Sequence, residues 1–150
     1  MTAINFYHLQ QSTLEQALAQ LLEKVLASKA RAIVLAGSEE RVGALDAALW
    51  TLPPHSFLPH GSRQEGHGEG QPVWLTTEDE CPNGASVLVL TDGMASERMG
   101  EYERCLELFD GKDPDAVAAA RERWRCYREE GHELIYWQQT PGGGWEKKED

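Results

Sequence analysis

The fold of this 150-residue chain is decided by residues 32–50, which read AIVLAGSEERVGALDAALW. The stretch begins with five apolar residues, a pattern typical of a parallel strand that is buried on both faces. Gly37 ends this apolar run, and Ser38 can cap a following helix whose apolar positions include Val42 and Leu45. A strand that leads at once into a helix is the repeating unit of an α/β domain with a parallel sheet.

The same alternation of strands and helices extends in both directions along the chain. Upstream, residues 4–9 form a predicted strand, and Ser12 with Glu15 has the spacing of a capping box that starts a helix. Downstream, the sequence predicts strands at residues 73–76, 86–90, 103–109 and 133–137. The segment 103–109 alternates charged with apolar residues, so this strand is expected to be half exposed. The sequence therefore predicts an α/β fold built on a mostly parallel sheet.

Two segments depart from this alternation. Residues 51–72 contain four prolines, four glycines and three histidines, which predicts an irregular connection. Connections longer than about 12–15 residues are often functional in compact domains. Residues 140–150 carry a proline, three glycines and mixed charges, which predicts a flexible C-terminal tail. We therefore expect a single α/β domain over residues 1–139.

The last predicted helix has the clearest end signals in the sequence. Asp113 can cap its first turn, Pro114 suits the first helical position, and Gly131 can adopt the left-handed conformation that ends it. Four of the 14 basic residues lie within eight positions of this helix: Arg121, Arg123, Arg125 and Arg128. Helical spacing places five residues on one face, which we call the arginine stripe: Val117, Arg121, Trp124, Arg125 and Arg128. The residues expected to pack on the sheet instead are Ala116, Ala119, Ala120 and Tyr127.

Two interpretations of the arginine stripe are open from the residues alone. It can be a solvated helix face on which Trp124 is partly buried against the sheet edge. It can instead be a peptide-docking surface, because arginine binds carboxylates through two hydrogen bonds and a neighbouring aromatic ring offers an apolar floor. Such a surface suits an acidic segment that ends in an apolar residue with a free carboxylate. A second candidate surface runs from Trp50 to His60, where Trp50 and Phe57 either close the core or contact a partner protein.

Composition excludes several classes of function. The 25 acidic against 14 basic residues give a net charge of −11, which argues against a dedicated duplex-DNA binder. No apolar run approaches the ~20 residues of a membrane span, and no secretory signal is apparent at the N-terminus. Three cysteines without CxxC spacing fit a reducing compartment. We therefore expect a cytoplasmic protein.

The sequence shows no catalytic constellation. The turn after residues 32–36 lacks both of the glycine-rich phosphate-binding patterns, GxGxxG and GxxxxGK. Neither a metal-ligand spacing such as HExxH nor a GxSxG serine elbow occurs. Cys105 and Cys126 fall in a predicted strand and helix and are expected to line the core. We therefore predict no catalytic residue, no metal site and no cofactor.

Five segments carry a resemblance to a known family: FYHL at 6–9, LDAALW at 45–50, SFLPH at 56–60, QPV at 71–73 and ARERWRCYR at 120–128. In this order and spacing they resemble the chi subunit of bacterial DNA polymerase III holoenzyme, over about residues 4–138. The resemblance implies an α/β, Rossmann-like three-layer fold with a mostly parallel central sheet, helices on both faces and no nucleotide-binding motif. It also implies a non-catalytic accessory subunit of the clamp-loader assembly, so that nucleotidyltransferase activity belongs to the complex.

The resemblance further implies that this subunit links the replicase to single-stranded DNA-binding protein by binding its acidic C-terminal tail. Arg121 would clamp the terminal carboxylate of the tail, and Trp124 would flank the pocket. Arg125 and Arg128 would attract the acidic residues upstream, and Val117 stands where some family members carry lysine. Positions implied to contact the psi subunit are Trp50, Pro53, Phe57 and Leu58. The protein would then act in the cytoplasm, at replication forks in the nucleoid, and would contact DNA only indirectly and no membrane.

An enzymatic alternative stays open from the residues. A small Rossmann-like enzyme could use the 51–72 loop on an unknown substrate. The side chains available for chemistry in that loop include His60, His67 and Glu69.

Overall fold

Eight strands and three helices alternate along the part of the chain that the computed structural model describes, which comprises residues 3–10, 13–51, 61–62, 72–81, 83–91, 93–94, 96, 98–142 and 144–148. The strands are β1 (Ala3–Leu9), β2 (Ala32–Leu35), β3 (Gly61–Ser62), β4 (Val73–Thr76), β5 (Val87–Leu90), β6 (Arg104–Asp110), β7 (Glu133–Gln139) and β8 (Trp145–Lys148). The helices are α1 (Leu14–Ala27), α2 (Glu39–Thr51) and α3 (Pro114–Glu129), and a 3-10 helical turn at Met99–Glu101 precedes β6.

These eight strands form one sheet in the order β3-β4-β2-β5-β6-β1-β7-β8. Every described pair is parallel except β7 with β8. Helices α1 and α2 cover one face, where Leu18 and Leu45 join a buried cluster with Val34. Helix α3 covers the other face, where Ala120 joins a second cluster with Phe6. The predicted three-layer α/β fold, with a mostly parallel sheet and helices on both faces, is confirmed.

Burial on both faces explains why the central strands are apolar throughout. All four residues of β2, of β4 and of β5 are buried. Successive side chains of a strand point to opposite faces, so Val34 lies under α1 and α2 whereas Ile33 and Leu35 lie on the α3 side. A parallel sheet covered by helices on both faces needs such continuous apolar runs.

Strand β6 corrects one prediction. The alternation of charged and apolar residues predicts a half-exposed strand, but the five interior residues from Cys105 to Phe109 are all buried. The reason is that α1 packs near one face of β6 and α3 covers the other, so a charged residue inside the strand is enclosed as well. Glu107 is that residue, and only 1% of its surface is exposed.

Helix starts follow the predicted chemistry with one shift in register. The capping box of α1 is formed by Thr13 and Gln16, not by Ser12 and Glu15: the Thr13 hydroxyl accepts from the Gln16 amide at 3.2 Å, and the Gln16 side chain accepts from the Thr13 amide at 3.1 Å. Ser12 lies outside the described residues, and Glu15 accepts a hydrogen bond from Arg41 instead. The two pairs have the same spacing, so the sequence pattern alone does not choose between them. At α2 the predicted cap holds, because Ser38 accepts from the Arg41 amide at 3.2 Å.

Residues 144–148 also differ from the sequence prediction of a flexible tail. Trp145–Lys148 forms β8, which pairs with the end of β7 after a turn in which the Thr140 amide donates to the Gly144 carbonyl at 2.8 Å. The Trp145 ring packs edge-on against Tyr7 of β1, with ring centroids 5.1 Å apart. The aromatic anchor and the hairpin hydrogen bonds therefore give this segment a place in the sheet. Gly143 and residues 149–150 lie outside the described residues.

Two smaller predictions have mixed outcomes. Cys105 is buried as expected, but Cys126 is exposed on α3. Ala120 and Tyr127 pack on the sheet as expected, but Ala119 is exposed and Ala116 is only half-buried. Fewer of the small residues of α3 therefore reach the sheet than their spacing alone indicates.

A buried ion pair ties α3 to the sheet. The Arg123 Nε donates to Oε1 of Glu107, and both side chains are largely buried. Burial raises the pKa of the Glu107 carboxyl to about 7, although the Arg123 charge opposes this rise. The contact fixes which face of α3 points inward.

The raised pKa of Glu107 predicts a pH-dependent stability. The folded protein holds a proton that the unfolded chain releases near pH 4.5, so this group's contribution to the free energy of unfolding is present at low pH and is lost as pH rises through about 7. In wild type the free energy of unfolding should fall by on the order of 2 kcal/mol over this pH range, and in the Glu107→Gln variant this fall should be absent. Urea unfolding between pH 5 and 8 measures it, with the exposed Glu129→Gln as the matched control. Equal pH slopes for wild type and Glu107→Gln would contradict the assignment.

The packing of Trp145 predicts that the pairing of β8 with β7 requires the Trp145 ring. Trp145→Ala should speed hydrogen exchange at residues 145–148 and lower the free energy of unfolding by about 1 kcal/mol, because an edge-on aromatic pair is lost. Exchange measured by mass spectrometry or NMR checks this, and the exposed Lys147→Ala serves as control. Fast exchange of this segment already in the wild type would show that the strand does not form.

Candidate functional site

Helix α3 begins and ends where its sequence signals predict. The Asp113 carboxylate accepts from the Asp115 amide at 3.0 Å, and Pro114 occupies the first turn. Gly131 has a φ of 86°, the left-handed conformation that ends the helix. The helix therefore spans 16 residues over the sheet face and carries the whole arginine stripe.

Trp124 and Val117 form the apolar part of the stripe. Both are half-buried and pack against the core cluster under α3. The Trp124 ring lies edge-on to Phe6 of β1, with centroids 5.2 Å apart, and edge-on to Tyr136 of β7 at 5.7 Å. Two perpendicular contacts hold the ring in one orientation. The remaining accessible surface of these side chains is therefore a preformed apolar floor.

Arg121 lies beside this floor and is exposed. It makes no ion pair with any other described residue. Its positive charge lowers the pKa of His8 in β1. It also acts to lower the pKa of Tyr136 in β7, but burial raises that pKa more strongly. An exposed guanidinium next to an apolar floor can bind a carboxylate through two hydrogen bonds while an adjoining apolar group packs on the floor.

The other arginines of α3 have different surroundings. Arg125 is 71% exposed and lies 3.6 Å from the Glu122 carboxylate, in a surface pair of little strength. Arg128 is exposed near the end of the helix. Arg123, which helical spacing leaves outside the stripe, points inward to Glu107. The structure thus brings Val117, Arg121 and Trp124 together and leaves Arg125 and Arg128 as outlying positive charges.

Sequence reasoning missed two polar residues next to Arg121. Nδ1 of His8 lies 2.5 Å from the Tyr136 hydroxyl, across a separation of 128 residues along the chain. Both side chains lie on the α3 face of the sheet, because His8 follows Phe6 in the alternation of β1 and Tyr136 follows Leu134 in that of β7. The alternation was readable from each strand, but the pairing of β1 with β7 was not.

The second candidate surface lies mostly outside the described residues. Trp50 falls in the last turn of α2, and its side chain is not among those described. Pro53, Phe57 and Leu58 lie outside the described residues. The same holds for the loop side chains that the enzymatic alternative requires: His60, His67 and Glu69.

The described residues contain no group of three or more His, Cys, Asp or Glu side chains arranged to hold a metal ion. Across the same part of the chain, no helix combines the length and the apolar character that crossing a membrane requires.

Comparison with known proteins gives a consistent result. Residues 1–135 match the protein family described as DNA polymerase III chi subunit, HolC. A Rickettsia prowazekii protein named probable DNA polymerase III subunit chi is 32% identical over 109 residues, which cover 73% of this chain and 66% of that relative. The DNA polymerase III subunit chi of Escherichia coli is 25% identical over 124 residues, 82% of this chain and 84% of the relative. The Pseudomonas aeruginosa protein of the same name is 27% identical over 137 residues, 89% and 94% of the two chains.

The family match and the structure cover the same part of the molecule. The matched residues run from before β1 to within β7, and so include α3 and nearly all of the parallel sheet. Because the match covers most of the chain, the chain belongs to the family of DNA polymerase III chi subunits.

Proposed function

We propose that this chain, as an accessory subunit of DNA polymerase III, links the replicase to single-stranded DNA-binding protein by capturing that protein's acidic C-terminal tail on α3. One observation carries the proposal: Arg121 is exposed, has no ion-pair partner in the described part of the chain, and adjoins the half-buried floor of Val117 and Trp124. The subunit acts by binding and not by catalysis, and DNA is reached only through the tail.

The chemistry of the site fits an apolar residue with a free carboxylate. The Arg121 guanidinium receives the carboxylate in a two-point contact, and the apolar side chain lies on the ring of Trp124. Val117 extends the floor by one helical turn. Because the floor is held by Phe6 and Tyr136 before binding, little conformational entropy is lost when the tail docks.

The distribution of charge over the chain favours docking of an acidic peptide at α3. The chain carries a net charge of −11, so an acidic peptide is repelled by most of its surface. Arg125 and Arg128 are exposed on the same helix as Arg121 and offer a local positive field. Several tails on one coated strand raise the local concentration of the peptide, so that a modest affinity for each tail suffices to hold the replicase.

We propose a second contact, with psi, through the surface of Trp50, Pro53, Phe57 and Leu58. Support comes from the resemblance of these positions to the family and from the place of Trp50 at the end of α2. The two surfaces would then let one small subunit join two partners. We place this activity in the cytoplasm, at replication forks in the nucleoid.

The proposal predicts that tail binding depends on Arg121 and on the free carboxylate. Arg121→Ala should weaken binding of a tail peptide about tenfold or more without loss of folding, because a charge-assisted hydrogen-bonded contact is removed from an exposed position. Amidation of the peptide C-terminus should have a similar effect on wild type and little further effect on the variant. Isothermal titration calorimetry measures all four combinations.

The matched control is Arg104→Ala, because Arg104 is also exposed but acts on Tyr7, on the sheet face opposite α3. Its affinity should equal that of wild type. If neither the free nor the amidated peptide binds wild type, the assignment of this partner is wrong. If Arg121→Ala binds normally, the tail docks elsewhere.

The outlying arginines predict a salt-dependent association rate. Replacing both Arg125 and Arg128 by alanine should slow association and flatten its dependence on ionic strength, because these exposed charges steer the acidic tail without holding it. Stopped-flow kinetics at several salt concentrations measures the effect. An unchanged salt slope would show that steering comes from other charges.

A further inference from the structure

His8 occupies a position that tail binding by Arg121 and Trp124 does not use. It is the third residue of β1 on the α3 face, after Ile4 and Phe6, and stands between β6 and β7. Its ring packs against Phe109 of β6 at 5.1 Å and against Tyr136 of β7 at 5.9 Å between centroids. The short contact from Nδ1 of His8 to the Tyr136 hydroxyl joins the two polar groups directly.

Every element packed against His8 contributes a polar or charged group. Helix α3 contributes Arg121, β6 contributes Asp110, the following turn contributes the Gly111 backbone, and β7 contributes Tyr136. Burial and the Arg121 charge lower the pKa of His8, and they outweigh the Gly111 hydrogen bond and the Asp110 charge, which raise it. Without a ligand, the ring is therefore mostly neutral at pH 7.

The hydrogen bonds of His8 define how its proton can act. In the neutral tautomer that carries its hydrogen on Nε2, Nδ1 of His8 accepts from the Tyr136 hydroxyl. When the ring gains a proton, Nδ1 becomes a donor to the Tyr136 oxygen. The Tyr136 hydrogen must then turn away from His8 and is available to another acceptor.

We propose that His8 couples capture of the tail carboxylate to the uptake of a proton from solvent, by turning the Tyr136 hydroxyl toward the carboxylate held on Arg121. This inference rests on the proposed function and deepens it. The proton enters at Nδ1 as the carboxylate binds and returns to solvent on release, so no other group changes its proton count. His8 is a positioning residue, and Tyr136 donates its hydroxyl hydrogen to the carboxylate. No bond is made or broken in the peptide.

Electrostatics gives the coupling its sign. The free protein disfavours the charged ring partly because Arg121 is close to it. A carboxylate on Arg121 neutralises that charge, and the pKa of His8 rises in the complex. By linkage, the affinity for the tail increases as pH falls, with about tenfold for each unit by which the pKa rises.

Calorimetric titration of wild type with the tail peptide from pH 5.5 to 8.0 tests the coupling. Each titration is made in two buffers of different ionisation enthalpy, so that the number of protons taken up is measured directly. We expect a fractional uptake that is largest at a pH between the His8 pKa values of the free protein and of the complex, and an affinity that rises toward pH 6. His8→Phe should bind with no proton uptake and a flat pH profile. Tyr136→Phe should keep the uptake, because Arg121 still acts on His8, but should bind the tail more weakly because the hydroxyl contact with the carboxylate is lost.

The control variant is His132→Asn, which removes the other described histidine, placed beside Glu130 beyond α3. It should keep the wild-type uptake. A role of His8 in packing alone would change affinity equally at every pH, and His8→Phe would then still show uptake. Proton uptake that persists in His8→Phe, or no uptake by wild type, overturns the proposal.

A second measurement separates this proposal from the proposed partner. NMR titration follows the His8 ring in the free protein, with N-acetyl-leucine and with its C-terminal amide, since the acid alone presents an apolar residue with a free carboxylate. The pKa of His8 should rise with the acid, stay unchanged with the amide, and rise in free Arg121→Ala. If the tail fails to bind but the acid raises the His8 pKa, the partner is wrong and the coupling stands. If neither the acid nor the Arg121→Ala change moves it, the coupling is wrong whatever the tail does.

Discussion

The rotation of α3 about its own axis is the constraint on which the rest of the site depends. Two kinds of contact set it: the ion pair from Arg123 to the buried Glu107, and the packing of Trp124 and Tyr127 against Phe6. A buried ion pair adds little net stability but is intolerant of misplacement, because an unpaired charge in the core is costly. With Arg123 held inside, the helix must present Arg121 outward, at the edge of the floor that Trp124 forms. Orientation is thus specified by a polar contact and strengthened by an apolar one.

The same contacts explain how an acidic chain keeps one focused positive site. Four arginines in eight positions of a helix repel one another, and the structure reduces this repulsion unevenly. Glu107 neutralises Arg123 inside the protein, and Glu122 partly screens Arg125 at the surface. Arg121 has neither kind of partner in the described part of the chain, so its charge beside the apolar floor is not neutralised there. The proposed affinity for an anionic, apolar-ended ligand would follow from the positions of the counter-charges rather than from the number of arginines.

The sequence was most informative wherever a feature is local. The apolar runs of β2 and β5 and the caps of α3 were predicted because strand periodicity and helix ends are set by neighbouring residues. The burial of Glu107 was missed, because a charged residue in an alternating strand looks exposed until both covering helices are known. β8 was missed for a related reason: a glycine-rich segment gives no sign that Trp145 will find Tyr7 on another strand. In the site, the stripe was predicted from helical spacing, whereas the His8–Tyr136 contact needed the pairing of β1 with β7.

The proposed binding surface lies at a point of the sheet that brings distant residues together. Helix α3 crosses strands β6 and β7, while β1 lies between them, so residues far apart in sequence meet under one helix face. The half-buried environment there lowers the dielectric enough for Arg121 to influence His8 and Tyr136, yet it leaves the guanidinium in contact with solvent. A fully exposed arginine would be screened by salt, and a buried one would need a permanent partner such as Glu107. The edge of a helix over a parallel sheet satisfies both limits, which makes it a suitable place for a ligand that must bind and also leave.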